Sequence, residues 1–224
     1  VTEYSRENKI DPTLSYMLVL ENRMYEAGLE ISTGTFLNYG KQLKLFNGVN
    51  EWFKRITLYG LENQVDIEHY IISSGLTDMI KGCSFYKEIN KIYACEYIYK
   101  NNRGYWPKLS VNYSNKVQYL YRIHKGAFEV SDQDGVNQKK YFGDYIHVPF
   151  ENMVFFGDGE TDVPTFNVLN KNNGKSICVY ENENIKSIDI ANKLFSDGRV
   201  HHVVKNDYRE NSEIDKLIKN IIKA

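Results

Sequence analysis

Cysteine is sparse and unpaired in this chain. Cys83, Cys95 and Cys178 are an odd number among 224 residues, with no C-x-x-C pair. That pattern argues against a disulfide framework and for buried free thiols in a reducing compartment, the cytoplasm. No sign of charge dominates either: 28 Lys and Arg face 29 Asp and Glu, a net charge of −1. The electrostatic case for a nucleic-acid partner is therefore missing. The densest basic spot, NQKKYF at residues 137–142, is too short to alter that. No apolar run approaches the roughly 20 residues that span a bilayer, so no membrane partner is expected. Internal repeats and low-complexity segments are absent too. The length suits one large domain, or one domain with a small appendage.

What is present reads first as helix. Residues 4–60 carry apolar spacing of helical period: PTLSYMLVLENRMYEAGLE places Leu14, Met17, Leu18, Met24 and Leu29 on compatible positions, with Pro12 in a first turn. TFLNYGKQLKLF and VNEWFKRITLYG continue the pattern, and Gly60 is the expected C-cap of the latter. The texture then changes. A short apolar run at residues 70–72 stops at Ser73-Ser74-Gly75, ahead of a helix start at LTDMIKG. KIYACEYIYKNNRGYW predicts a hairpin turning at residues 101–104. A helix is expected over SNKVQYLYRIHKG, then a buried strand at MVFFG and a helix at VPTFNVLNKNNG. KSICVYEN and HHVVKND are expected strands, NIKSIDIANKLF a helix, and NSEIDKLIKNIIKA a closing helix capped by Ser212. Strands alternating with helices predict an α/β fold, with a parallel sheet covered on both faces and sites at the carboxyl ends of its strands.

Two strand ends carry polar groups of the right form. In GDGETD, Asp158 closes a strand and Asp162 follows within the first turn of a helix, so both carboxylates converge above the sheet. Two carboxylates there suit a hard cation such as Mg2+, which combines few carboxylates with waters and a substrate phosphate. A dinucleotide fingerprint fits less well, because the third glycine is missing and the carboxylates would repel a pyrophosphate. In YIISSGLTDMI, Ser74 and Gly75 offer a hydroxyl and backbone N–H groups before a helix, an anion-sized arrangement. Lys116 opens the NKVQYLYRIHKG helix. The adjacent His201 and His202 would point to opposite faces of a strand, which argues against a shared metal.

Together these pieces resemble the haloacid dehalogenase (HAD) superfamily, in its phosphoserine-phosphatase-like branch, over roughly residues 47–185. The second motif would be YIISSG, with Ser74 as the phosphate-binding hydroxyl and Ser73 the alternate. Lys116 would be the third motif, and VFFGDGETDVP the fourth. The resemblance implies a Rossmann-like three-layer core over residues 47–224 and a partial helical cap over residues 1–46. It also implies an aspartyl-phosphate mechanism. By the same resemblance, Asp158 would be a direct Mg2+ ligand, and Asp162 a second ligand or the residue orienting a metal-bound water. Ser74, Gly75 and Lys116 would hold the phosphoryl group, with Lys116 and Asp158 serving catalysis. A small phosphorylated molecule would be the substrate.

The family's first motif, DxDx[TV] after an apolar strand, is not found. Asp11 in KIDPTLS stands alone. VSDQDGV at residues 130–136 has the form of the motif with Asp132 and Asp134, but HKGAFEV before it is not a buried strand. The expectation is therefore that the nucleophile and its strand lie upstream of Val1. Without that strand, the two that flank it would each expose an open edge. Two functions follow, a Mg2+-dependent phosphomonoesterase or a non-catalytic module that keeps the phosphate and metal pocket. An unrelated α/β nucleotide-binding protein is a third reading.

Overall fold

The computed structural model describes residues 2–101, 103–137 and 146–224. Most of the NQKKYF segment lies outside them. The fold is α/β, with two separate three-stranded sheets in two compact units.

The first unit comprises Val1–Leu45, Phe53–Thr57 and Asp66–Asn112. Its helices are α1 (Thr2–Asn8), α2 (Pro12–Glu26) and α3 (Thr33–Lys41), joined by the middle of α4 (Val49–Glu62). Asp11 explains itself here: its Oδ1 accepts the Thr13 and Leu14 N–H groups at 2.9 and 3.0 Å, capping α2 ahead of Pro12. Asn112 donates to its other oxygen at 2.7 Å. The sheet follows as β1 (Tyr70–Leu76), β2 (Lys91–Lys100) and β3 (Arg103–Leu109), with the short helix α5 (Thr77–Gly82) after β1. Strands β1 and β2 pair in parallel, and β2 and β3 form the expected antiparallel hairpin. Helices α3 and α5 meet through glycine. A Cβ on Gly40 would lie 1.9 Å from the Met79 carbonyl oxygen, and one on Gly82 would lie 2.2 Å from that of Leu37. The core centres on Met17, Phe36, Tyr93 and Tyr97, and the Tyr97 hydroxyl donates to the Met17 carbonyl at 2.5 Å.

The second unit comprises Phe46–Trp52, Leu58–Val65 and Tyr113–Ala224. Its sheet, β4 (Val154–Gly157), β5 (Lys175–Tyr180) and β6 (His202–Lys205), is wholly parallel in the order β4-β5-β6. The crossovers are α8 (Val163–Lys171) and α9 (Ile185–Ser196). Phe166, Cys178, Ala191, Leu194 and Val200 form a buried cluster with these elements. Preceding them are α6 (Lys116–Lys125) and α7 (Gln133–Asn137), and α10 (Glu213–Lys223) closes the chain. Ser212 caps α10 as expected, its Oγ accepting the Asp215 N–H at 3.3 Å.

Two expectations need correction. Helix α4 does not stop at Gly60 but continues to Glu62. Gln64 (φ 61°) takes the left-handed turn instead, and the Val65 N–H closes onto the Gly60 carbonyl at 2.9 Å. The strands also do not join one sheet: among the described residues β1 pairs only with β2, and β4 only with β5.

Candidate functional site

The polar residues that the sequence brackets around β4 do meet, and all lie in the second unit. Lys116 stands at the first position of α6, and its Nζ donates to Asp162 Oδ1 at 2.7 Å. Side-chain exposures of 11% and 4% make this a buried ion pair rather than a surface one. A lysine opening a helix is ordinarily solvated, so its burial against one carboxylate is a specific feature; removing either partner would strand a buried charge. The second oxygen of Asp162, Oδ2, accepts the backbone N–H of Asp158 at 3.0 Å. Asp162 thus ties α6 to the turn after β4 with both its oxygens.

That geometry depends on Gly157. A Cβ there would lie 2.7 Å from both Cβ and Oδ2 of Asp162, and 2.5 Å from Phe166 Cζ. The glycine leaves the space that the carboxylate fills, a constraint unrelated to turn conformation. Across the ladder Gly157 registers with Cys178. Burial, then the charges of Asp158 and Asp162, push the Cys178 thiol up to about 11. It stays protonated at neutral pH and forms an inert floor, not a nucleophile.

Asp158 differs from Asp162 in both exposure and charge balance. It is solvent-accessible at the mouth of the strand. Desolvation by the surrounding protein raises its pKa, with the Asp162 carboxylate adding to the rise and Lys116 opposing it. Two carboxylates therefore share one ammonium group, and the uncompensated charge rests on Asp158. The donor set fits a hard cation in part. Asp158 is exposed, whereas Asp162 is buried and already engaged at both oxygens. Among the described residues, no group of three His, Cys, Asp or Glu side chains gathers to hold a metal. A complete oxygen shell would need groups beyond these two aspartates.

Ser74 and Gly75 belong to the first unit. They are exposed at the end of β1, where the pairing register with β2 slips between Ile72 and Leu76. The Gly75 N–H is turned inward onto Ser73 Oγ at 3.0 Å. Ser73 is thereby occupied as an acceptor, while the adjacent Ser74 is exposed.

The D-x-D-G-V segment is a turn and not a strand end. Asp132 Oδ1 accepts the Gly135 N–H at 2.7 Å, and Asp134 lies in the first turn of α7. The approach to it is irregular backbone whose carbonyls converge on Arg122, Glu129 at 2.7 Å and Val130 at 3.0 Å. His201 is also structural: its Nδ1 accepts the Ser176 N–H at 3.2 Å, and Ser176 Oγ bonds Asn170 Oδ1 at 2.6 Å. The places of Gly157 and Cys178 in the site were not evident from sequence spacing. Only the β4–β5 register brings Cys178 beside the aspartates.

No protein-family model and no solved structure matches the chain. An uncharacterized protein of Borreliella burgdorferi is 30% identical over 198 residues, which is 79% of this chain and 66% of that protein. The chain thus spans a little under two thirds of that relative's length.

Proposed function

We propose that the chain is the larger part of a Mg2+-dependent HAD-type phosphatase acting on a small phosphomonoester, with the nucleophilic aspartate supplied from outside these 224 residues. The observation that carries this reading is the Lys116–Asp162–Asp158 arrangement: a buried ammonium–carboxylate pair 2.7 Å long, bonded to the backbone of an exposed carboxylate at a parallel strand's end. The pair joins residues 46 positions apart in sequence, which supports the reading by bringing the lysine and the aspartate turn of the resemblance to one place.

In this reading Asp158 holds the cation. Bound Mg2+ would supply charge neutralisation to a phosphoryl group. Asp162 fixes the Asp158 backbone and keeps Lys116 in place, and Lys116 offsets negative charge on the phosphoryl oxygens. By the resemblance alone, Ser74 and Gly75, which lie in the first unit, are phosphate-holding residues. In the same reading the first-motif strand completes a HAD core, and the helices of residues 1–46 are a partial cap that selects substrate.

The test uses Mn2+ as a spectroscopic substitute for Mg2+ on the 224-residue chain. The unmodified protein should bind one ion, and Asp158→Asn should weaken the affinity at least tenfold. Equal affinity in the variant refutes the cation assignment. With para-nitrophenyl phosphate and Mg2+, the same chain should give no turnover. Turnover abolished by Asp132→Asn would instead place the nucleophile in the D-x-D-G-V turn.

A further inference from the structure

Residues 176 and 201 clasp one another at the amino ends of β5 and β6, whereas Asp158 follows the carboxyl end of β4. The β5–β6 ladder begins with the pair Ile177 and His202. One residue earlier, the His201 N–H donates to the Ser176 carbonyl at 3.0 Å and to Ser176 Oγ at 3.1 Å. The return bond is of another kind. The Ser176 N–H donates to His201 Nδ1 at 3.2 Å, so an imidazole nitrogen stands where a strand would offer a carbonyl. A chain of bonds from α8 fixes the proton on that ring. Asn170 Nδ2 donates to the Arg199 carbonyl at 2.9 Å, which turns Asn170 Oδ1 toward Ser176. Ser176 Oγ gives its one hydrogen to that oxygen at 2.6 Å. Oγ also lies 3.0 Å from Nδ1, but its hydrogen is already spent, and the backbone N–H is the donor that Nδ1 receives. The neutral ring therefore carries its proton on Nε2.

We propose that this clasp is an acid-sensitive latch: neutral His201 accepts the Ser176 N–H and closes the start of β6, and protonation at Nδ1 opens it. Ser176 is 0% exposed, while the His201 ring is exposed and open to protons from solvent. The added proton meets the Ser176 N–H and leaves that buried amide without its acceptor. The imidazolium N–H can turn to Ser176 Oγ, but that contact does nothing for the amide. Burial, then the positive charges of Lys175 on β5 and His202 on β6, hold the His201 pKa below its ordinary value. From α8 comes the uncharged Asn170, and from the loop after α9 the Arg199 carbonyl. The stability supplied by the clasp is thus fully present above the ordinary histidine pKa of ~6.5, and is lost as pH falls through the lowered value. Val200, next to the ring, belongs to the buried cluster with Phe166, Cys178, Ala191 and Leu194, so opening loosens the edge of that core. None of this depends on the phosphatase reading.

Amide hydrogen exchange on the 224-residue chain, corrected for intrinsic rates, tests the latch. The opening equilibrium of the Ser176 and His201 amides should rise by up to about tenfold per pH unit below ~6.5. The Lys175 amide, bonded across the sheet to the Met153 carbonyl, should not follow. His201→Asn supplies an amide oxygen near the Nδ1 position without a titrating group, and should abolish the pH dependence. A pH dependence that survives in His201→Asn, or that the unmodified chain lacks, overturns the proposal. If the variant does not fold, imidazole nitrogen NMR of the unmodified chain decides. At neutral pH Nδ1 should be the unprotonated nitrogen, and the Ser176 amide shift should titrate with the His201 ring. A neutral ring protonated on Nδ1, or a Ser176 amide indifferent to its titration, overturns the latch.

Discussion

Desolvation and the neighbouring Asp162 both oppose ionisation of Asp158, and that opposition has a signature in stability. The folded-state pKa is raised, so the unfolded chain loses this proton first as pH increases. Stability is therefore fully present below the ordinary carboxyl range and falls as pH rises through the raised value. Asp158→Asn removes the effect. In chelator at neutral pH the variant should melt above the unmodified protein, and the difference should vanish near pH ~3, where both carboxyl states are protonated. On the proposed cation reading, excess Mg2+ should reverse the order by binding the unmodified native state more tightly than the variant. A variant that melts lower at neutral pH in chelator would contradict the raised pKa. Asp162 was legible in the sequence as part of the same motif, but its ion pair was not. Spacing places both aspartates near one strand end, but it carries no sign of the 2.7 Å contact between Asp162 and Lys116.

At the scale of elements, β4 and its turn depend on the absence of a side chain at Gly157. Gly157→Ala places a methyl group against Asp162 and Phe166, at 2.7 and 2.5 Å, so one of them must move. Overpacking of this kind destabilises by about 1–3 kcal/mol. Because Asp162 is one of the two obstacles, the expected loss goes beyond stability: Mn2+ affinity should fall by more than the melting change implies. Unchanged affinity in a destabilised Gly157→Ala protein would mean that Phe166 alone moves. The elements themselves were largely readable, since local rules fixed them. Pro12 opens α2, Ser212 caps α10 and a polar turn joins β2 to β3, whereas the capping by Asp11 appears only in the structure. The end of α4 was misread because Gln64 adopts a left-handed conformation usually left to glycine. The glycine contacts between α3 and α5 were hidden for another reason: nothing local in the sequence marks which backbone a glycine must approach.

The whole molecule holds two sheets, and each has a parallel strand with one paired edge among the described residues: β1 in the first unit and β4 in the second. The sequence foresaw parallel strands and open edges but not the division into two units, because pairing between distant strands leaves no periodic trace. Strand β4 is notable in its own unit. Phe155 packs on Phe166 of α8, and Phe156 on Trp52, so successive side chains of a four-residue strand are both covered by aromatic rings. Strands covered on both faces ordinarily lie inside parallel sheets, with neighbours on both sides. Hydrogen exchange separates the possibilities. Strands β2 and β5, each paired on both sides, should carry the slowest-exchanging amides, and β1 and β4 should exchange faster in the 224-residue chain. An added strand at either edge slows exchange there selectively, which gives a direct readout for any longer chain or peptide that supplies the first-motif aspartate. If β4 amides in the 224-residue chain are as slow as those of β5, its edge is already covered in solution, and the expectation of a strand from outside these residues fails.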